Sequence, residues 1–395
     1  MSTRAQAAAI LDELVALRRD LHRYPEIGLE LPLTQKRVVA ALDGLGIEVT
    51  IGSALSSVVG VLRGHRPGPS VLLRADMDAL PVTEEAHVPY ASEITGVMHA
   101  CGHDLHTAAL VGAARLLASR RAEIAGNVVF MFQPGEEGYD GARLMIEEGV
   151  LDAAGERVVA AYGLHVFSAS LPQGVFATRP GTLMGASDEM IVQVHGAGGH
   201  GAAPHLATDP IPAACEMVTA LQTMVTRAFD VFDPVVLTVG HISAGTCSYV
   251  IPSDARIEAT IRTFSSATRE RVARLAASLC TQLAAAHGLT AEVDYRFEYP
   301  PTVNDPAEYE LAADTVQDVF GTARFQRLEN PIAGAEDFSR VLATVPGAFV
   351  FLGAGTAAET EQAPYNHSAE AIFHDGVLAD AAAFLTEVAL RRLST

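Results

Sequence analysis

The chain of 395 residues contains no tryptophan and a single lysine, Lys36. Lys36 lies in a polar segment, and no other lysine offers an anchor for a Schiff-base cofactor. The GxxxxGK[ST] phosphate loop is missing too, so nucleotide-triphosphate chemistry has no signature. Positive charge is scarce: 27 Lys plus Arg against 47 Asp plus Glu give a net charge of −20. Such a field repels phosphate backbones and anionic lipid surfaces, which argues against nucleic-acid and membrane partners. The 4 cysteines, at 101, 215, 247 and 280, are too few and too scattered for a disulfide framework and fit free thiols in a reducing compartment. No apolar run approaches the roughly 20 residues of a membrane span. Ala7 to Leu21 sets Asp12, Glu13, Arg18, Arg19 and Asp20 among Ile10, Leu14, Leu17 and Leu21, the pattern of an amphipathic helix and not of a signal peptide. A cytoplasmic location is expected.

What is present is a globular composition, 49% hydrophobic and 19% charged, long enough for two domains. Up to about residue 183, helical patterns alternate with the short apolar runs Val58 to Leu62, Val71 to Leu73, Val128 to Phe132 and Val158 to Tyr162. Continuous runs of this kind predict strands buried on both faces, with helices such as Thr107 to Ser119 covering them. From 187 to 299 the strands alternate instead: Ile257, Ala259 and Ile261 interleave with Arg256, Glu258, Thr260 and Arg262. Two helical patterns fall between them, so the order is β-α-β-β-α-β, a small two-layer α+β module of ferredoxin-like type. An uncovered sheet edge or face there could pair with a second subunit. After Pro300 and Pro301 the α/β grammar returns. The predicted plan is an α/β catalytic domain, residues 1–186 and 300–395, interrupted by an inserted module, 187–299.

Ligands in open α/β sheets gather at the carboxyl ends of strands. The run at 71–73 leads to Asp76 and Asp78, the run at 128–132 leads to Glu136 and Glu137, and the run beginning at Val158 ends at His165. The run Ala348 to Leu352 is followed, after a Gly-rich loop, by His367, and the cluster HACGHDLH places Cys101 and His103 before a helix. Taken singly, a strand-end histidine is more often structural, a lone cysteine a small buried hydrophobe, and two adjacent glutamates a solvated turn. Their joint occurrence at consecutive strand ends points instead to a divalent metal site of imidazole, thiolate and carboxylate groups. In the Glu136–Glu137 pair, one carboxylate can bind metal while its neighbour takes a proton from an activated water and later gives it to a leaving amine.

The ordered blocks RADMDALP, MHACGHDLH, QPGEEG, GLHV, HGAGGHGAAPH, GAEDFS and YNHS cover nearly the whole chain. Together they resemble the amidohydrolase family of hippurate hydrolases, N-acyl-amino-acid hydrolases and plant auxin-conjugate hydrolases, within a clan of dinuclear metal aminoacylases and carboxypeptidases. The resemblance implies a zinc-peptidase-like mixed-sheet catalytic domain with an inserted lid and dimerisation domain. It implies metal ligation by Cys101, His103, Glu137, His165 and His367, general acid/base work by Glu136, and a supporting carboxylate at Asp78. Asp76 stands where other branches of the clan place a histidine ligand and is left off the ligand set. His200 aligns with a lid histidine that in relatives reaches the active site of a partner subunit and stabilises an oxyanion. His99, His106, His195 and His205 keep supporting or structural readings, and Glu336 and Asp337 of GAEDFS stand evenly between supporting the site and not. The sequence departs from the family at Tyr249, where relatives carry Asn in NVIP: a phenol donates a hydrogen bond but offers no amide fork. Arg262 remains a candidate partner for the substrate carboxylate, or plain surface.

The implied reaction is cleavage of an N-acyl amino acid, of N-acetyl or N-benzoyl type, to a carboxylate and a free amino acid, with two divalent ions per subunit. A thiolate ligand favours Zn²⁺, while the His and carboxylate majority also accepts Mn²⁺, Co²⁺ or Ni²⁺. The alternatives are a dipeptidase or carboxypeptidase of the same clan and a non-catalytic binding protein on the same fold. The last would be marked by a lost ligand or a lost Glu136, and every aligned position is filled. A homodimer or higher homo-oligomer through the lid domain is expected.

Overall fold

The apolar runs become the middle of a sheet. In the computed structural model, which describes residues 1–357 and 360–394, eight strands lie in the order Glu48–Ile51, Val58–Arg63, Ala125–Gln133, Arg66–Asp76, Ala160–Phe167, Gly347–Gly353, Phe176–Thr178 and Phe325–Arg327. Arg66–Asp76 runs parallel to both neighbours, and Gly347–Gly353 runs parallel to Ala160–Phe167. The strands Glu48–Ile51 and Val58–Arg63 continue the sheet in antiparallel fashion. Every residue of Ala160–Phe167 and of Gly347–Gly353 is buried, as strands covered on both faces must be. The helices His103–Ser119 and Val377–Arg392 contribute Leu110, Val111, Leu117, Phe384, Leu385 and Val388 to the same core as the strand residues Val71, Leu73, Phe130 and Val350.

This unit comprises Met1–Leu183, Val303–Asn330 and Asp337–Thr395; a second comprises Met184–Thr302 and Pro331–Glu336. The second holds a four-stranded antiparallel sheet in the order Val235–Ala244, Asp254–Thr263, Ser187–His195, Thr290–Tyr299, with the helices Pro210–Ala228 and Ser266–Ala286. Alternation along its strands sends Met190, Val192, Val194, Ile257 and Ile261 into a core with Met217, Leu221, Val272 and Cys280 of the helices. The polar residues between them carry ion pairs such as Arg296–Glu189 and Arg256–Glu258, both with N···O distances below 3 Å (2.7 and 2.6 Å). The α/β class and the βαββαβ order match the expectation from hydrophobic periodicity.

Several local expectations are corrected. The single helix expected from Ala7 is two, Thr3–Ala9 and Leu11–Arg23, parted at Ile10, whose φ of −106° and ψ of 6° leave the helical region. Arg18, which periodicity puts among the polar residues of that helix, is buried, because Asp104 and Asp375 meet its guanidinium. The helix expected from Thr107 starts one turn earlier, at His103. The helix expected near Leu311 starts at Pro306, where the Asp305 carboxylate accepts the Ala307 and Glu308 N–H groups and Pro306 has no N–H to lose. Lys36 is exposed on the helix Pro32–Leu42. No helix among the described residues is long and apolar enough to cross a membrane.

Candidate metal centre

Adjacent parallel strands deliver the first pieces side by side. Arg66–Asp76 ends at Asp76 and its partner Ala125–Gln133 at Gln133, with the two residues in register. Two residues beyond Asp76, the Asp78 carboxylate accepts the Glu136 N–H on Oδ1 and the Glu137 N–H on Oδ2, each at 3.0 Å. One carboxylate thus fixes the backbone of both glutamates.

Cys101 and His103 flank Gly102, which sits at φ 86° in the left-handed region and precedes the helix His103–Ser119. A Cβ at Gly102 would lie 2.5 Å from Val166 Cγ2 and 3.1 Å from the Phe373 ring, so glycine is required for conformation and for space. His165 comes from within the strand Ala160–Phe167 and not from beyond its end. His367, at φ 73°, is held by its N–H on Ala100 O at 2.8 Å.

These segments bring together Cys101, His103, Glu136, Glu137, His165 and His367. Potential ligand atoms of Cys101, His103 and His165 lie within 4.8 Å of one another, and so do those of Cys101, Glu137 and His367. The two sets share the Cys101 sulfur, which is 3.4 Å from His165 Nε2 and 3.2 Å from His367 Nε2. A third set joins Glu136 to His103 and Glu137 within the same 4.8 Å limit.

Hydrogen bonding fixes which ring nitrogens face inward. His103 Nδ1 donates to Asp78 O at 2.9 Å, and His165 Nδ1 donates to Val166 O at 2.8 Å, so both rings turn Nε2 toward the other ligand-type groups. His103 Nε2 is buried without a hydrogen-bond partner, and the buried Glu137 Oε1 meets the His367 ring, 3.2 Å from Nε2. Orphaned polar atoms are costly in a protein interior unless something else meets them. Two overlapping sets of thiol, imidazole and carboxylate around such atoms fit a pair of divalent cations.

The electrostatics agree. Burial, followed by the Glu137 charge, pushes the Cys101 thiol up. Burial holds His165 well below the ordinary imidazole value, with His106 adding to the effect, so its ring is neutral. His367 is lifted to about 10 by Cys101 and Glu137 beside it. In the apo protein a proton on His367 stands where a cation would balance the same negative groups.

Asp76 lies against this set: Oδ2 is 3.6 Å from His103 Nε2, and Oδ1 accepts a hydrogen bond from His106 Nδ1–H. His106 Nε2 in turn accepts the Val166 N–H at 2.8 Å, so His106 is committed on both nitrogens and supports rather than ligates. Burial opposes ionisation of Asp76, yet Arg74, His103 and His106 hold it well below the usual carboxylate range. Arg74 also reaches Asp337 at 3.0 Å and Gln133 Oε1 at 2.9 Å, and Gln133 Nε2 donates to Asp337. Asp337 therefore belongs to the support beneath the strand ends; Glu336 is buried and falls in the second unit.

His200, Tyr249 and Arg262 all lie in the second unit. The two-residue strands Gly199–His200 and Val250–Ile251 pair His200 with Val250, and just beyond this ladder the Gly201 N–H donates to Tyr249 O at 2.8 Å. His200 Nδ1 accepts the Ala202 N–H at 3.0 Å, so its proton sits on Nε2. Tyr249 is exposed. Arg262 makes its hydrogen bonds within its own strand, to Thr260 Oγ1 at 2.8 Å and Ile261 O at 3.1 Å. His195 and His205 are surface residues.

Sequence reasoning missed a second buried polar group behind His103. Asp104 Oδ2 meets Arg18 Nε at 2.7 Å and His22 Nδ1 at 2.8 Å, and His22 Nε2 meets Glu84 at 3.2 Å. His99 is buried beside it and burial pushes its pKa down to about 3. It also missed Asn366, whose side chain accepts the Ser168 N–H and donates to Val166 O, both at 2.9 Å. The adjacency of Asn366 to His367 was the only signal available.

Residues 72–391 match the family model described as peptidase family M20/M25/M40. The chain is 39% identical to thermostable carboxypeptidase 1 of Saccharolobus solfataricus, over 93% of this chain and 92% of that protein. It is 38% identical to N-acetyl-L-cysteine deacetylase of Bacillus subtilis, over 86% of this chain and 80% of that protein. A solved Bacillus subtilis protein, titled a dinuclear metal binding peptidase from the M20 family, superposes with a TM-score of 0.85 at 32% identity, covering 98% of this chain and 99% of the other.

Proposed function

The chain belongs to peptidase family M20/M25/M40, and from that membership and the geometry of the centre we propose a dinuclear metal amidohydrolase that splits N-acyl amino acids. The observation that carries the reading is the pair of ligand sets sharing Cys101, with the Glu136 carboxylate beside them. Cys101, His103, Glu137, His165 and His367 would hold the two ions. When bound, these supply Lewis acidity, polarising the scissile carbonyl and lowering the pKa of a water toward about 7. Zn²⁺ or Mn²⁺ suits the donor set best, and Co²⁺ or Ni²⁺ also fits it.

The rest of the chemistry belongs to the chain. Glu136 takes the proton of the attacking water on its carboxylate and delivers it to the amide nitrogen as that bond breaks, releasing a carboxylate and a free amine. Asp78 positions Glu136 and Glu137 through their backbone N–H groups, and does not touch substrate. His200, with its proton on Nε2, is the candidate oxyanion donor toward the centre of an associated copy. Tyr249 and Arg262 supply donors for the substrate carboxylate or acyl carbonyl. Association of copies through the second unit is part of this proposal, as is a cytoplasmic location, in keeping with four free cysteines.

Glu136→Gln tests the central role. The variant is expected to keep its two ions by elemental analysis and lose roughly 100- to 10,000-fold in kcat on N-acyl amino acids; near-normal turnover would refute the assignment. The carboxypeptidase name of one relative supports a second reading, cleavage of unblocked peptides. Competition between unblocked dipeptides and N-acetyl amino acids separates the two.

A further inference from the structure

The loop that carries His367 is pinned on both sides of one large side chain. Pro364 O accepts the Ser168 hydroxyl at 2.8 Å, Asn366 Oδ1 accepts the Ser168 N–H at 2.9 Å, and His367 N–H reaches Ala100 O at 2.8 Å. Between these anchors Tyr365 is left 48% exposed. Its ring lies 5.7 Å from that of Phe167, which in turn lies 5.4 Å from the His165 ring and 4.9 Å from Phe351. A series of rings therefore leads from a ligand-type histidine outward to a half-exposed aromatic face. Tyr365 takes no part in the proton transfers assigned above, and its neighbours already hold the loop without its ring.

We infer that Tyr365 is a specificity-determining residue, whose exposed face receives a flat apolar group of the substrate while the scissile amide sits at the metal centre. The inference rests on the amidohydrolase reading. A planar group laid on Tyr365 gains both apolar burial and the offset or edge contact that aromatic pairs favour. A methyl group in the same place gains little of either. The flat group can be the acyl portion or the amino-acid side chain, and the substrates below separate them.

The test compares wild type, Tyr365→Ala and Tyr365→Phe, each with measured metal content, on N-acetylalanine, N-benzoylalanine and N-acetylphenylalanine. Expected in Tyr365→Ala is a fall of roughly fivefold to tenfold in kcat/KM for an aromatic substrate relative to N-acetylalanine, mainly through KM. Tyr365→Phe should keep the wild-type ratio within about twofold, since the face and not the hydroxyl is in use. The ratio that falls identifies the group bound. Unchanged ratios in Tyr365→Ala, or an equal loss on all three substrates, overturn the inference while leaving the amidohydrolase reading intact. Failure of metal-loaded wild type to hydrolyse any of the three overturns that reading, and the inference with it.

Discussion

Replacing Asp78 by asparagine separates positioning from chemistry. The native carboxylate accepts two buried N–H groups, one on each oxygen, both at 3.0 Å. An amide keeps the shape but has one accepting oxygen, so either Glu136 or Glu137 must turn its N–H toward an NH₂ group. Losing one charge-assisted hydrogen bond costs about 1.5–3 kcal/mol, and leaving a buried donor without a partner costs about 1–3 kcal/mol more. The sum, about 2.5–6 kcal/mol, is relieved by moving the turn that carries the two glutamates. At about 1.4 kcal/mol per tenfold, a displacement that costs the transition state most of this energy lowers kcat by roughly 100- to 1,000-fold. The assay is steady-state hydrolysis of an N-acyl amino acid by metal-loaded protein, with metal content and a urea unfolding curve measured on the same preparation. KM should change far less than kcat, because the perturbed turn carries the proton-transfer group. A kcat within about threefold of wild type would falsify the positioning role, whatever happens to stability.

Chelation followed by desalting should abolish turnover and lower the thermal midpoint, and added Zn²⁺, Mn²⁺ or Co²⁺ should restore both; activity that survives verified metal removal would refute the dinuclear reading. Burial opposes ionisation of Asp104, but Arg18 and His22 hold its pKa below the unfolded value, so its stabilisation is present above about pH 4 and lost as the pH falls through the folded pKa. His22 is opposite in sign: burial lowers its pKa, but Asp104 and Glu84 outweigh that and raise it overall, so its contribution is complete below about pH 6.5 and lost as the pH rises through the folded value. Asp104→Asn should therefore flatten the acid limb of a stability–pH profile and cost about 1.5–3 kcal/mol at neutral pH, where Arg18 loses one charged partner and keeps Asp375; an unchanged acid limb would count against the pair. Tyr162→Phe removes a buried hydroxyl that donates to Glu308, which Arg392 also holds at 2.9 Å; a loss of about 1.5–3 kcal/mol in urea unfolding with unchanged kcat is expected, and a loss of activity would show that this contact reaches the centre.

The centre was legible because its pieces are chemically conspicuous and sit where short apolar runs end. Asp76, Glu136 and His367 each follow such a run, and the cluster around Cys101 announces itself by composition. Its support was not legible. Arg18, His22 and Glu84 lie 86, 82 and 20 positions before Asp104, and no local pattern links them; burial of a guanidinium in an otherwise amphipathic helix is decided by what packs against it. The same holds for Arg74, whose partners Asp76, Gln133 and Asp337 come from three segments. Asp305–Pro306 carries the start of the helix Pro306–Phe320 as a cap and a first-turn proline, while apolar periodicity alone places it further on, near Leu311. The break at Ile10 has no glycine or proline to announce it.

The lone lysine has a practical corollary. Among the side chains, reagents that seek primary amines can react only with the exposed Lys36, which belongs to the unit that houses the candidate metal centre. The inserted module presents no such nucleophile. Tethering the enzyme to an activated resin therefore leaves that module chemically untouched, and a lysine-to-lysine crosslink that captures an assembled form must span two catalytic units at helix Pro32–Leu42.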